Sequence, residues 1–156
     1  DNIQRYLDNP RSIAEIASLY EQIGKINKAI NAYEKAVSLN PGRIELLYSY
    51  ALCLCRVNMI DKAEKILIKI TLIDKNFMLA YYNLGNIYFK KKDYNNALEA
   101  FKKAVSLNPL NVDSCYNLAL TFEALNNKEL ALKYYNKCLK LKPDYQQVRK
   151  AIQRLG

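Results

Sequence analysis

Four cysteines, thirteen tyrosines and no histidine bound the chemistry open to this chain. Without an imidazole there is no His-based acid, base or nucleophile activator, and the commonest metal ligand is gone. Cys53 and Cys55 stand two apart, which on a helix sends their thiols to different faces, so they do not make half of a zinc site. With Cys115 and Cys138 they read as reduced thiols at core-like positions rather than as a disulfide framework. Only four glycines are present, and none belongs to a phosphate-cradling loop. The sequence predicts no catalytic residue, no metal and no cofactor.

Contact chemistry is better represented. Tyr82, Asn83, Asn86, Phe89 and Lys90 follow one another at steps of 1, 3, 3 and 1, which places them on one face of a helix. Tyr81, Leu84, Gly85 and Tyr88 share the other face, which reads as core. A tyrosine supplies rigid contact area with a polar tip. An asparagine supplies a donor and an acceptor that suit an extended peptide backbone.

The elements that must position these residues repeat. After a polar break at Lys91, Lys92 and Asp93, a second helix is predicted with Ala97, Phe101 and Ala104 on its apolar face, stopped by Pro109. A shift of 34 residues brings Gly85 onto Ala17, Ala51 and Ala119, and Ala97 onto Ala29, Ala63 and Ala131. The same shift brings Phe101 onto Tyr33, Leu67 and Tyr135, and Pro109 onto Pro41 and Pro143, with Lys75 breaking that column. This spacing, with its large-x-x-Leu-Gly-x-x-Tyr, Ala-x-x-x-Phe and Pro pattern, resembles the tetratricopeptide repeat, a helix–turn–helix unit. The resemblance implies an all-α fold: a right-handed superhelical solenoid of four repeats over 10–43, 44–77, 78–111 and 112–145. A terminal capping helix is expected over 146–156, with Arg149, Lys150, Gln153 and Arg154 on its polar side. Residues 1–9, with Ile3, Tyr6 and Leu7 at helical spacing, read as the tail of a preceding helix or repeat. The chain begins at Asp1 and shows no signal peptide, so it reads as a piece of a longer protein.

In the family so resembled, the second face of each first helix lines a concave groove where partners bind. Carried over residue by residue, this implies a peptide-binding groove of Tyr48, Arg56, Tyr82, Asn83, Asn86, Phe89, Lys90, Tyr116 and Asn117. The family's two-carboxylate clamp for chaperone tails needs cations that are missing. Its best window here offers Tyr82, Asn86, Asn117, Gln147 and Ala151, so both asparagines match and no cation does.

The net charge of +9 raises nucleic acid as a partner, but the lysines of one column, Lys35, Lys69, Lys103 and Lys137, are expected on an outer, solvated face. The expected groove carries charges of both signs. No stretch is long and apolar enough to span a membrane. The implied function is a protein–protein interaction scaffold that holds an extended peptide or partner helix and is not itself an enzyme. The alternative is a substrate-recruiting arm of a larger enzyme of glycosyltransferase, phosphatase or prolyl isomerase type. Self-association through the amino end and a cytoplasmic or other reducing compartment complete the expectations.

Overall fold

The computed structural model describes residues 9–156, and the expected tail over 1–9 lies outside them except for Asn9. Among the described residues there are nine helices and no strand: α1 (Pro10–Gln22), α2 (Ile26–Leu39), α3 (Ile44–Arg56), α4 (Ile60–Ile73), α5 (Met78–Lys90), α6 (Tyr94–Leu107), α7 (Val112–Ala124), α8 (Lys128–Leu141) and α9 (Gln146–Leu155). The chain falls into two compact units that divide between Lys75 and Asn76. The first holds the hairpins α1–α2 and α3–α4. The second holds α5–α6, α7–α8 and the terminal helix α9.

Each hairpin turns at one residue in the left-handed region: Gly24 (φ 74°), Asn58 (62°), Lys92 (60°) and Asn126 (58°). These lie one repeat apart. Each is followed by a residue whose N–H reaches back five positions, as Lys25 to Tyr20 O (2.8 Å) and Asp93 to Tyr88 O (2.9 Å). The pairing satisfies carbonyls that the helix end would otherwise orphan. Starts are marked by side chains. Asn9 Oδ1 accepts from the Arg11 N–H (2.9 Å) ahead of Pro10, and Asn111 Oδ1 accepts from the Ser114 N–H (2.7 Å). Asp93 and Asn127 cap α6 and α8 in the same way.

Small residues set how closely the helices of a hairpin pack. Ala17, Ala29, Ala51 and Ala63 are fully buried in the first unit, and Ala97, Ala119 and Ala131 in the second. At Gly85 the limiting neighbour is a ring: an added Cβ would sit 2.6 Å from Phe101 Cε1 and 2.7 Å from its Cδ1. The second unit's core joins Phe101, Cys115, Leu118, Phe122, Tyr135 and Cys138 to Val148 and Ala151 of α9, with Ile152 and Leu155 packed beside them. On the other side of α9, Arg149, Lys150, Gln153 and Arg154 are exposed. The Arg149 guanidinium donates twice to the carbonyl of Pro143, at 3.1 and 2.8 Å, and so fixes the turn into α9.

Candidate functional site

Of the nine residues expected in a groove, Tyr48 and Arg56 lie on α3 in the first unit. The other seven lie on α5 and α7 in the second. Asn117 Nδ2 donates to Asn86 Oδ1 at 2.9 Å and ties those two helices together. Beside this amide pair is a cavity of about 200 Å³ lined by Asn86, Phe89, Lys90, Phe101, Asn117 and Leu120. Lys90 is exposed at its rim. Asn83 donates to its own helix, at Leu79 O (2.8 Å), and is half-buried.

The aromatic residues are less free than their spacing predicts. Tyr82, Phe89 and Tyr116 all pack against the buried cluster of the second unit. The Tyr82 ring meets Phe101 edge-on (centroids 6.2 Å) and Phe89 meets Tyr94 (5.3 Å). Tyr116 lies 6.0 Å from Tyr135 and 5.2 Å from Tyr145. The physical reason is width: a helix presents an apolar stripe broader than one row, and a large ring at its edge reaches inward. These three side chains carry core packing as well as an outward surface.

Arg56 is committed to its own unit. Its guanidinium pairs with the Glu21 carboxylate, which also accepts the Tyr33 hydroxyl (3.2 Å). Ser18, Gln22, Ser49 and Leu52 join these three around a cavity of about 360 Å³. The second unit repeats the chemistry: Tyr135 Oη donates to Glu123 Oε2 (2.7 Å), and Arg154 Nη2 donates to Glu123 Oε1 (2.5 Å). Burial first, then the adjacent carboxylate, push the Tyr33 and Tyr135 phenols up from their ordinary value. Tyr50 is shifted the same way by burial and by its bond to Glu34 (2.7 Å). These Tyr–Glu pairs were not anticipated. Their signal is in the register, because Glu21 and Glu123 are in step with each other and so are Tyr33 and Tyr135.

Cys53, Cys115 and Cys138 are buried, Cys55 is half-buried, and no bridge joins any of them. Burial above all pushes the Cys53 and Cys138 thiols up to about 12, which disfavours the nucleophilic thiolate. Among the described residues no group of three or more potential ligands could hold a metal, and no helix is long and apolar enough to cross a membrane. Of the lysine column, Lys35, Lys69 and Lys103 are exposed as expected, while Lys137 is half-buried. The charge is uneven: from Asn76 onward thirteen Lys and Arg face six Asp and Glu, net +7, against eleven and nine up to Lys75.

Successive helix hairpins with small residues at each close approach and a shared turn geometry define a helical-repeat protein. The tetratricopeptide repeat pattern matches residues 8–86, 79–111 and 112–145. The chain belongs to the tetratricopeptide repeat family. It is 29% identical over 136 residues to BBSome complex member BBS4 of Bos taurus, covering 87% of this chain and 25% of that protein. It is 27% identical over 139 residues to the protein O-mannosyl-transferase TMTC1 of Homo sapiens, covering 86% of this chain and 16% of that one. The chain thus spans a quarter or less of the length of these two relatives. Among solved structures, a crystal structure of MamA protein superposes with a TM-score of 0.88 at 24% identity, over 94% of this chain and 80% of that one.

Proposed function

We propose that this chain is a protein-interaction scaffold that holds an extended peptide against α5 and α7. The Asn86–Asn117 amide pair carries the reading. It joins two first helices at the level where Tyr82, Phe89, Lys90 and Tyr116 present ring area and charge. Tyr48 holds the same register position on α3 as Tyr82 and Tyr116 hold on α5 and α7. Arg56 is already engaged by Glu21 within the first unit and is not part of the proposed contact on α5 and α7. A chaperone tail is not the proposed ligand, because Tyr82, Gln147 and Ala151 stand where the clamp requires cations. Nucleic acid is not proposed, and a reducing compartment is, on the strength of the buried, unbridged thiols.

A library of random dodecapeptides panned against the full chain tests this. Enriched peptides should slow amide exchange in α5 and α7. Absence of any enriched peptide, or protection confined to the lysine-bearing face of α8, would overturn it.

A second reading is a recruiting arm of a larger enzyme. It is favoured by two relatives of which this chain matches a small part: TMTC1, and a UDP-N-acetylglucosamine–peptide N-acetylglucosaminyltransferase of Giardia intestinalis, matched over 9% of its length at 25% identity. The flanking coding sequence decides between the two.

A further inference from the structure

The third repeat departs from the first and fourth at one linked pair of positions, and a cavity occupies the place. By register, Glu21, Cys55, Phe89 and Glu123 share one column, and Tyr33, Leu67, Phe101 and Tyr135 another. Where the ring is a tyrosine, the partner is a carboxylate closed by an arginine. In the third repeat the ring is Phe101, its partner is Phe89, and neither carries a polar atom. The closing cation is lost as well. The residue in step with Arg56 is Ala124, and the one in step with Arg154 is Leu120. What remains is a cavity of about 200 Å³ with one apolar side formed by Phe89, Leu120 and Phe101, the last only 1% exposed.

Two polar features border it. Lys90 makes no ion pair among the described residues. The amide pair is half used: Asn117 Nδ2 and Asn86 Oδ1 bond to each other, which leaves the Asn86 Nδ2 donor and the Asn117 Oδ1 acceptor open to a ligand. A donor and an acceptor side by side match the C=O and N–H of one extended residue. An apolar cavity of about 150 Å³ holds a benzene, so this one has room for a single large side chain and not for a helix.

We propose that this cavity receives one leucine, methionine or phenylalanine side chain of an extended peptide that carries an aspartate or glutamate within two residues of that anchor. The carboxylate pairs with Lys90, and the anchor's own N–H and C=O bond to Asn117 and Asn86. The net charge of +7 on this unit favours such a partner over a basic one. The proposal rests on the peptide-binding reading above and adds the partner's chemistry to it.

The dodecapeptides enriched on the full chain are the probes, synthesised with a fluorescein label and titrated by anisotropy. Enriched sequences should share the apolar anchor and the neighbouring acid. Lys90→Glu, a change at an exposed side chain, should weaken them about tenfold or more, and replacing the peptide's acid with lysine should restore binding to that variant. Leu120→Trp, which fills the cavity, should abolish binding of the anchored peptides, with melting curves confirming a folded variant; changing the anchor to alanine in the peptide makes the same test without altering the protein. If enriched peptides protect α5 and α7 yet ignore Lys90→Glu and tolerate loss of the anchor, the cavity assignment falls and the scaffold reading stands. If no peptide is enriched, both fall.

Discussion

Glu21, Tyr33 and Arg56 in the first unit and Glu123, Tyr135 and Arg154 in the second make the same linked trio by different routes. In both, a carboxylate at the end of a first helix accepts the hydroxyl of the tyrosine on the second helix of its hairpin. The cations differ in origin. Arg56 is the last residue of α3, the first helix of the next hairpin, whereas Arg154 comes from α9, one helical turn earlier in register. The tyrosine–carboxylate pair is therefore the fixed part, and the arginine is whatever the next helix can supply. Burial explains why. Tyr33 and Tyr135 are 3% and 0% exposed, so their hydroxyls need a partner inside the protein, while both arginine side chains are 63% exposed and have water as an alternative.

Alkaline pH should remove the stability that both trios contribute, because the phenols ionise in the unfolded chain first, and should have the largest effect. The folded state raises both phenols, so their contribution is fully present below the unfolded pKa of about 10 and is lost as pH rises above it. One unit above that value each phenol should cost roughly 1.4 kcal/mol. Urea unfolding at pH 8 and 11 should show the loss, and Tyr33→Phe with Tyr135→Phe should reduce it; an unchanged pH slope in that double variant would contradict the comparison.

Next in size is a carboxylate removed alone. Glu123→Leu strands the Tyr135 hydroxyl and should destabilise the protein by about 2–3 kcal/mol. Adding Tyr135→Phe should recover most of that by reproducing the Phe101–Phe89 chemistry of the third repeat. The matching change Glu21→Leu should cost less, about 1 kcal/mol, because its hydroxyl bond is longer at 3.2 Å. A double variant no better than Glu123→Leu would show that the pair is not the unit of exchange.

The turns offer a third contrast. The first unit places Gly24 and Asn58 in the left-handed positions, both suited to them, but the second places Lys92 in one of its two. Lys92→Gly should therefore raise the urea midpoint by the equivalent of about 1 kcal/mol, while Gly24→Lys should lower it. Smallest of all, Arg56→Met and Arg154→Met should each cost about 0.2–1 kcal/mol, as exposed pairs do, and a loss several times larger in either would reverse the ranking of hydroxyl over cation.

The helices were legible in the sequence because every hairpin carries the same signals: small residues at the close approach, a ring or leucine beside them and a polar break between. Ile23, Val57 and Leu125 continue the apolar spacing of their helices yet stand at the capping position, one residue past each helix end. The aromatic face was misjudged because helical spacing gives a direction and not a reach; Tyr116 points outward by count and still touches Tyr135. The carboxylate–tyrosine pairs are readable only when two columns are compared, Glu21 with Glu123 and Tyr33 with Tyr135, because neither residue alone signals a partner. Arg154 was not readable by any column, since α9 offers its cation out of step with the repeats.

The four left-handed turns also bear on how the chain reaches its structure. Each closes two helices of about a dozen residues, so most stabilising contacts form between segments near in sequence, and closing so short a loop costs little entropy. Such low contact order belongs to fast folding, and a hairpin leaving the ribosome has most of its partners already in hand before the next turn is synthesised.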